Sequence, residues 1–171
     1  MLRREGIKSI AFGMETLMTE NTDYALTLTR TFDAPAAKVY ACWTDPELMK
    51  QWFAPRPFTT PIIELDVRAG GANKIVMQDE TGNQYPNQGI YLEIVPNRKV
   101  VFTDAFTSAW KPSAKPFFVG EIHFEEENGK TKYTAIARHW TKEDMETHEK
   151  MGFHEGWGQC ADQLAELLKT I

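Results

Sequence analysis

The sequence has no apolar run near the ~20 residues that a membrane-spanning helix requires. Nor does it open with an apolar stretch of roughly 7–15 residues, as a secretory signal would; the longest such piece near the start lies around Ile10, Ala11 and Phe12. These absences predict a cytoplasmic protein that is neither exported nor anchored. Cysteine is scarce. Cys42 and Cys160 stand far apart, without paired-thiol or zinc spacing, and read as two buried thiols in a reducing compartment. Lys and Arg form no cluster, and the net charge is −5, which argues against nucleic acid or an anionic membrane surface as partner. Arg3-Arg4 is followed at once by Glu5, a solvated tail.

Recognisable catalytic and cofactor motifs are missing as well. There is no Gly-x-Ser-x-Gly elbow, phosphate loop or dinucleotide fingerprint, and Gly70-Gly71 falls in a corner between strands. No cofactor is expected. Among the four histidines, His148-Glu149 and His154-Glu155 superficially suggest a metal-binding helix. Six-residue spacing turns the two rings about 120° apart, whereas a zinc-protease pair needs four. No metal site is expected.

What is present is a patterned chain. Residues 1–23 show no sustained periodicity and read as a poorly ordered extension to a domain over 24–171. From Tyr24 the apolar residues alternate through Leu26 and Leu28 to Phe32, a strand. Asp33-Ala34-Pro35 opens a helix carrying Val39, Tyr40 and Trp43, and Thr44-Asp45-Pro46 opens a second with Leu48, Met49, Trp52 and Phe53. Strands are then predicted over 62–68, 73–78, 88–95, 99–106, 117–125 and 132–140. Asn128-Gly129 is the strongest hairpin signal. Thr141 followed by Asp144 is a helix cap. Beyond it Phe153, Trp157, Cys160, Ala161, Leu164, Leu167, Leu168 and Ile171 form one apolar stripe on a terminal helix expected to bend near Gly152.

One strand, two short helices, six strands and a long helix make an α+β architecture. A curved antiparallel sheet of about seven strands must bury one face against its only long helix. A single apolar stripe cannot fill a strongly twisted sheet, so an internal pocket is the geometric expectation.

The runs Arg30-Thr31-Phe32-Asp33-Ala34-Pro35, Val39-Tyr40-Ala41-Cys42-Trp43-Thr44-Asp45-Pro46-Glu47 and Gln51-Trp52-Phe53 carry a resemblance. So do Asp66-Val67-Arg68-Ala69-Gly70-Gly71, Gly89–Pro96, Val101–Phe106 and Gly156-Trp157. Together they resemble the Hsp-ninety-ATPase-activator-like (AHSA-type) branch of the SRPBCC, or START-like, superfamily across residues 24–171. The resemblance implies a helix-grip fold. It implies less about function, since the superfamily includes lipid, steroid and polyketide binders and a few cyclases or hydratases. Many relatives have an aromatic residue where Asn73 stands. The departure makes the pocket more polar or marks a strand end near solvent.

Strand alternation selects the inward residues: Asn73, Ile75 and Met77; Val100, Phe102, Asp104 and Phe106; Phe118, Gly120, Ile122 and Phe124; Tyr133, Ala135, Ala137 and His139. His123 and Arg138 turn outward. The candidate ligand-binding set is Trp43, Asn73, Met77, Phe102, Asp104, Phe106, Phe118, His139, Phe153 and Trp157, with no catalytic residue assigned. The small residues Gly120, Ala135 and Ala137, facing Gly152 and Gly156, either leave room or admit close helix–sheet packing. Asp104, between two phenylalanines, is costly unless paired. It either orients a ligand or works as an acid or base, or it is a structural partner of Arg68 or of backbone donors.

Three functions follow. The leading one is binding of a small hydrophobic or aromatic ligand without covalent chemistry. The second is a cyclase- or hydratase-like enzyme using Asp104, His139 or a tyrosine. The third is a chaperone-activating interaction protein. The eukaryotic activators carry an additional N-terminal domain, which some 23 residues are too few to form, so a chaperone partner is not expected.

Overall fold

Alternation in the first strand, β1 (Tyr24–Phe32), buries Leu26, Leu28 and Phe32 and leaves Thr27, Thr29 and Thr31 exposed. The computed structural model describes residues 23–171, so all but Asp23 of the extension expected over 1–23 lies outside the described residues. Asp23 is fastened to the sheet, its carboxylate accepting from Arg138 at 2.7 Å.

Two helices follow, α1 (Ala36–Thr44) and α2 (Pro46–Met49). Asp45 divides them and caps the second, its Oδ1 accepting from the amides of Glu47 and Leu48 at 2.8 and 3.4 Å, with Pro46 in the first turn. This second helix is a single turn. Trp52 and Phe53 lie beyond it rather than on it, pinned by Trp52 Nε1 donating to the Cys42 carbonyl at 3.0 Å.

Strands β2 (Thr59–Leu65), β3 (Ala72–Gln78), β4 (Gln84–Val95), β5 (Lys99–Thr103), β8 (Phe118–Glu127) and β9 (Lys130–His139) join β1 in an antiparallel sheet ordered β1-β9-β8-β5-β4-β3-β2. A separate two-stranded ribbon pairs β6 (Phe106–Thr107) with β7 (Lys111–Pro112). The β8–β9 hairpin turns on Asn128-Gly129, both with positive φ (53° and 75°), as a two-residue turn matched to strand twist requires.

Strand bounds depart from expectation by one to four residues, and three of the departures have a structural reason or consequence. β2 begins at Thr59 and tolerates Pro61 because it is an edge strand with a register shift at that point. β4 begins at Gln84 and includes Pro86. There it pairs with β3 alone, so the missing amide faces no partner strand. β5 ends at Thr103, not at residue 106, and that shortening relocates two candidate site residues.

The C-terminal segment forms α3 (Lys142–Lys150) and α4 (Phe153–Leu168), broken at Gly152 with φ 92°. The Thr141 hydroxyl caps α3 by accepting from the Asp144 amide at 3.1 Å. One face of α4, through Phe153, Ala161, Leu164, Leu167 and Leu168, joins the core formed by Leu26, Leu28, Ile122, Phe124, Tyr133, Ala135 and Ala137. No helix of the described residues is long and apolar enough to cross a membrane.

Candidate functional site

Trp43 projects from α1 into the sheet's aromatic interior. Its ring centroid lies 5.1 Å from Trp52, 6.0 Å from Phe53 and 6.1 Å from Phe102. Between these rings and the sheet is a void of about 20 Å³, walled by Trp43, Met49, Phe53, Asn73, Ile75, Tyr91 and Phe102. A space of that size holds roughly one water. Two of its wall residues carry buried donors with no hydrogen-bond partner among the described residues, Trp43 Nε1 and Asn73 Nδ2. Burial pushes the hydroxyls of Tyr91 and Tyr133 well above the ordinary phenol value. The Trp43 N–H acts on Tyr133 in the opposite direction, but without forming a hydrogen bond of normal geometry.

The ten candidate residues divide into groups. Trp43, Asn73 and Phe102 line the void. Phe118, His139, Phe153 and Trp157 form a second cluster around a residue outside the candidate set, His148. The two groups touch through Phe102 and Phe118, 5.9 Å apart edge to face. Met77 shares a face with Asn73 and Ile75, but its cross-strand neighbour Tyr85 sits in the exposed half of β4, away from the void.

Asp104 and Phe106 leave the site because β5 stops before them. The Asp104 Oδ1 accepts from the amides of Phe117 and Phe118 at 2.9 and 3.2 Å, anchoring the start of β8. Arg68 pairs with Asp66 at 2.8 Å rather than with Asp104. Phe106 meets Trp110 edge to face, with ring centroids 5.8 Å apart. Gly120 does not leave open space: a Cβ there would meet the Phe102 ring at 2.3 Å, so the glycine admits that ring.

Sequence reasoning overlooked Phe53, Met49 and Tyr91 at the void and His148 and Phe117 in the cluster. The cap at Thr141 was the available signal for His148, because it folds α3 back beside His139, nine residues earlier. His139 is 8% exposed. Its Nδ1 is 3.0 Å from the Tyr24 carbonyl and its Nε2 is 2.9 Å from His148 Nδ1. Burial, then the neighbouring His139, lowers His148 from the usual 6.5 to about 4. On the opposite face His123 Nε2 meets Glu121 at 2.5 Å, and Arg138 joins Glu121 at 3.2 Å.

A family model described as "Activator of Hsp90 ATPase homolog 1-like protein" matches residues 33–169. The chain belongs to this family. Within the AHSA-type SRPBCC fold, it is similar to a crystal structure of a Nitrosomonas europaea protein at 38% identity. That match has a TM-score of 0.82 and covers 85% of this chain and 94% of the other. It is also similar to a Staphylococcus epidermidis protein solved by NMR, at 26% identity and TM-score 0.72, covering 88% and 93%. A Mycobacterium smegmatis crystal structure, at 22% identity and TM-score 0.73 over 85% and 91%, shares the fold. Among curated proteins none matches. The AHSA-type fold is consistent with a domain that binds a hydrophobic ligand.

Proposed function

We propose that this AHSA-type protein binds a small, largely apolar aromatic molecule bearing one hydrogen-bond acceptor, held between Trp43 and Asn73 without covalent chemistry. The observation that carries this reading is Asn73 Nδ2, a buried donor without a partner among the described residues on a wall residue of the void, with Trp43 Nε1, which meets Tyr133 without a hydrogen bond of normal geometry, on a second wall residue. Leaving a buried donor unpaired costs about 1–3 kcal/mol, a cost that an acceptor on a ligand removes. The void of about 20 Å³ is smaller than an aromatic ring, so occupancy requires the half-buried Phe53 and Phe102 to turn aside. Binding therefore selects a rearranged interior.

Acid–base catalysis favours two polar groups whose shifts oppose one another. At this void burial raises Tyr91, and Asp104 is committed to the β8 amides. No specific observation favours the enzyme reading.

The test compares acetophenone, an aromatic ketone, with ethylbenzene, which lacks the acceptor, by quenching and NMR shifts of the tryptophans. The ketone is expected to bind at least about fivefold more tightly, and Trp43→Phe to erase most of that difference. Absence of binding by either compound, with one ordered water satisfying both donors, would overturn the reading.

A further inference from the structure

His139 and His148 meet where α3 packs against β9 and β1. The Tyr24 carbonyl can only accept, so His139 Nδ1 carries the hydrogen and donates to it at 3.0 Å. Neutral His139 then offers a lone pair at Nε2, which takes the hydrogen of His148 Nδ1 at 2.9 Å. That leaves His148 Nε2 as the basic atom of the pair. The His148 ring is surrounded by Phe117, Phe118, Phe153 and Trp157, with centroids at 5.2, 5.4, 5.2 and 6.0 Å.

Among the described residues this contact is the hydrogen bond that joins a side chain of α3 to the sheet. The helix has no fully buried side chain. It meets the core through Met145 and His148, and it ends at Gly152, whose φ of 92° lets the chain break before α4. The same cluster adjoins the void, since Phe118 touches both His148 and Phe102.

We propose that the His139–His148 pair is an acid-released latch that holds α3 closed over the aromatic end of the cavity, so that protonation regulates access to it. The access half rests on the ligand-binding reading above; the latch half does not.

A proton on His148 Nε2 keeps the N–H···N bond but places a cation among aromatic rings in a half-buried site, which favours release of α3. The charged groups nearby offer no compensation. On α3 the charged side chains are Lys142, Glu143, Asp144, Glu146, Glu149 and Lys150, with Lys142 paired to Glu146, and the first turn of α4 adds Glu155 and the titratable His154. Asp104, behind Phe117 and Phe118, is committed to their amides. Arg138, beside His139, turns outward to Glu121 and Asp23. Among the described residues no carboxylate pairs with either imidazole of the latch. The closed form therefore favours neutral His148, and release restores an ordinary imidazole. The latch is intact above about pH 6.5 and weakens as pH falls toward 4.

Hydrogen exchange of the α3 amides in the full chain, corrected for intrinsic rates from pH 7.5 to 4.5, tests the latch. Opening is expected to rise roughly fivefold by pH 5, the factor that about 1 kcal/mol corresponds to. It should stay flat in His148→Phe, which keeps the ring, and in His148→Gln, which keeps a donor toward His139. Exchange that ignores pH in the wild type, or rises equally in both variants, would overturn the latch. The association rate of acetophenone, followed by tryptophan quenching, should rise in parallel. A flat rate while α3 opens would overturn the gating of the cavity. If acetophenone binds at no pH, the ligand-binding reading falls and the access half with it, while the exchange profile still decides the latch.

Discussion

Two segments border the aromatic interior, and they are fastened by different means. Residues 52–57, which carry the void-lining Phe53, are held to α4 through their backbone. The Gln163 Nε2 donates to the carbonyls of Trp52 and Ala54 at 2.9 and 2.8 Å, and its Oε1 accepts from the Arg56 amide at 3.0 Å. Cys160 donates to the Phe53 carbonyl and Gln159 to that of Arg56. The helix α3, in contrast, meets the aromatic core through Met145 and His148, and the histidine titrates. Buried backbone bonds from an amide that is 4% exposed do not respond to pH. A histidine pair does. Rigidity at one end of the cavity and a conditional contact at the other make the α3 end the natural place for change.

The largest expected effect comes from breaking the rigid side. Gln163→Ala leaves two carbonyls and an amide without partners, and should destabilise the protein by about 3–4 kcal/mol, read from urea midpoints. A loss below about 1 kcal/mol would mean that segment 52–57 is held by its aromatic packing instead.

Gly120→Ala tests the boundary between the two ends. Its new Cβ would lie 2.3 Å from the Phe102 ring, so the ring must move and the contact with Phe118 must change. A cost of about 2 kcal/mol is expected, along with weaker acetophenone binding if the ring is driven into the void. Unchanged stability would show that Phe102 moves freely, which would ease ligand access without any help from α3.

Asp104→Ala separates anchoring from binding. Losing an acceptor shared by two amides should cost between about 1 and 2 kcal/mol and leave acetophenone affinity as it was. An affinity change without a stability change would return Asp104 to the site.

The order of elements was legible because alternation, caps and turn residues each encode local geometry. Asn128-Gly129, Asp45-Pro46 and Thr141 all did what their chemistry demands. The site was less legible because strand parity holds only while the strand continues. Asp104 and Phe106 share parity with Phe102, but the chain bends after Thr103, and a carboxylate that caps a neighbouring strand looks the same in sequence as one facing a ligand. The small residues misled for a related reason: whether Gly120 leaves space depends on a ring from another strand. The His139–His148 contact joins a strand end to a helix whose direction is fixed only by its cap, and no periodicity within either element encodes it.

The smallest expected effect concerns that pair and the pH dependence of stability. In the folded chain His148 is lowered from 6.5 to about 4, so the unfolded chain binds the proton more readily. Stability contributed by the neutral ring is therefore fully present above about pH 6.5 and is lost as pH falls toward 4. The full shift would correspond to roughly 3 kcal/mol, but a half-buried ring is screened by solvent, and about 1 kcal/mol is the reasonable expectation. Urea midpoints at pH 7.5 and 5.0 for the wild type and His148→Phe measure it, the difference between the two proteins cancelling the titration of every other group. A wild type that loses about 1 kcal/mol more than the variant places the pH sensitivity at α3. Equal losses in both would place it on the carboxylates of the outer face, around Glu121, and remove the physical contrast between the two ends of the cavity.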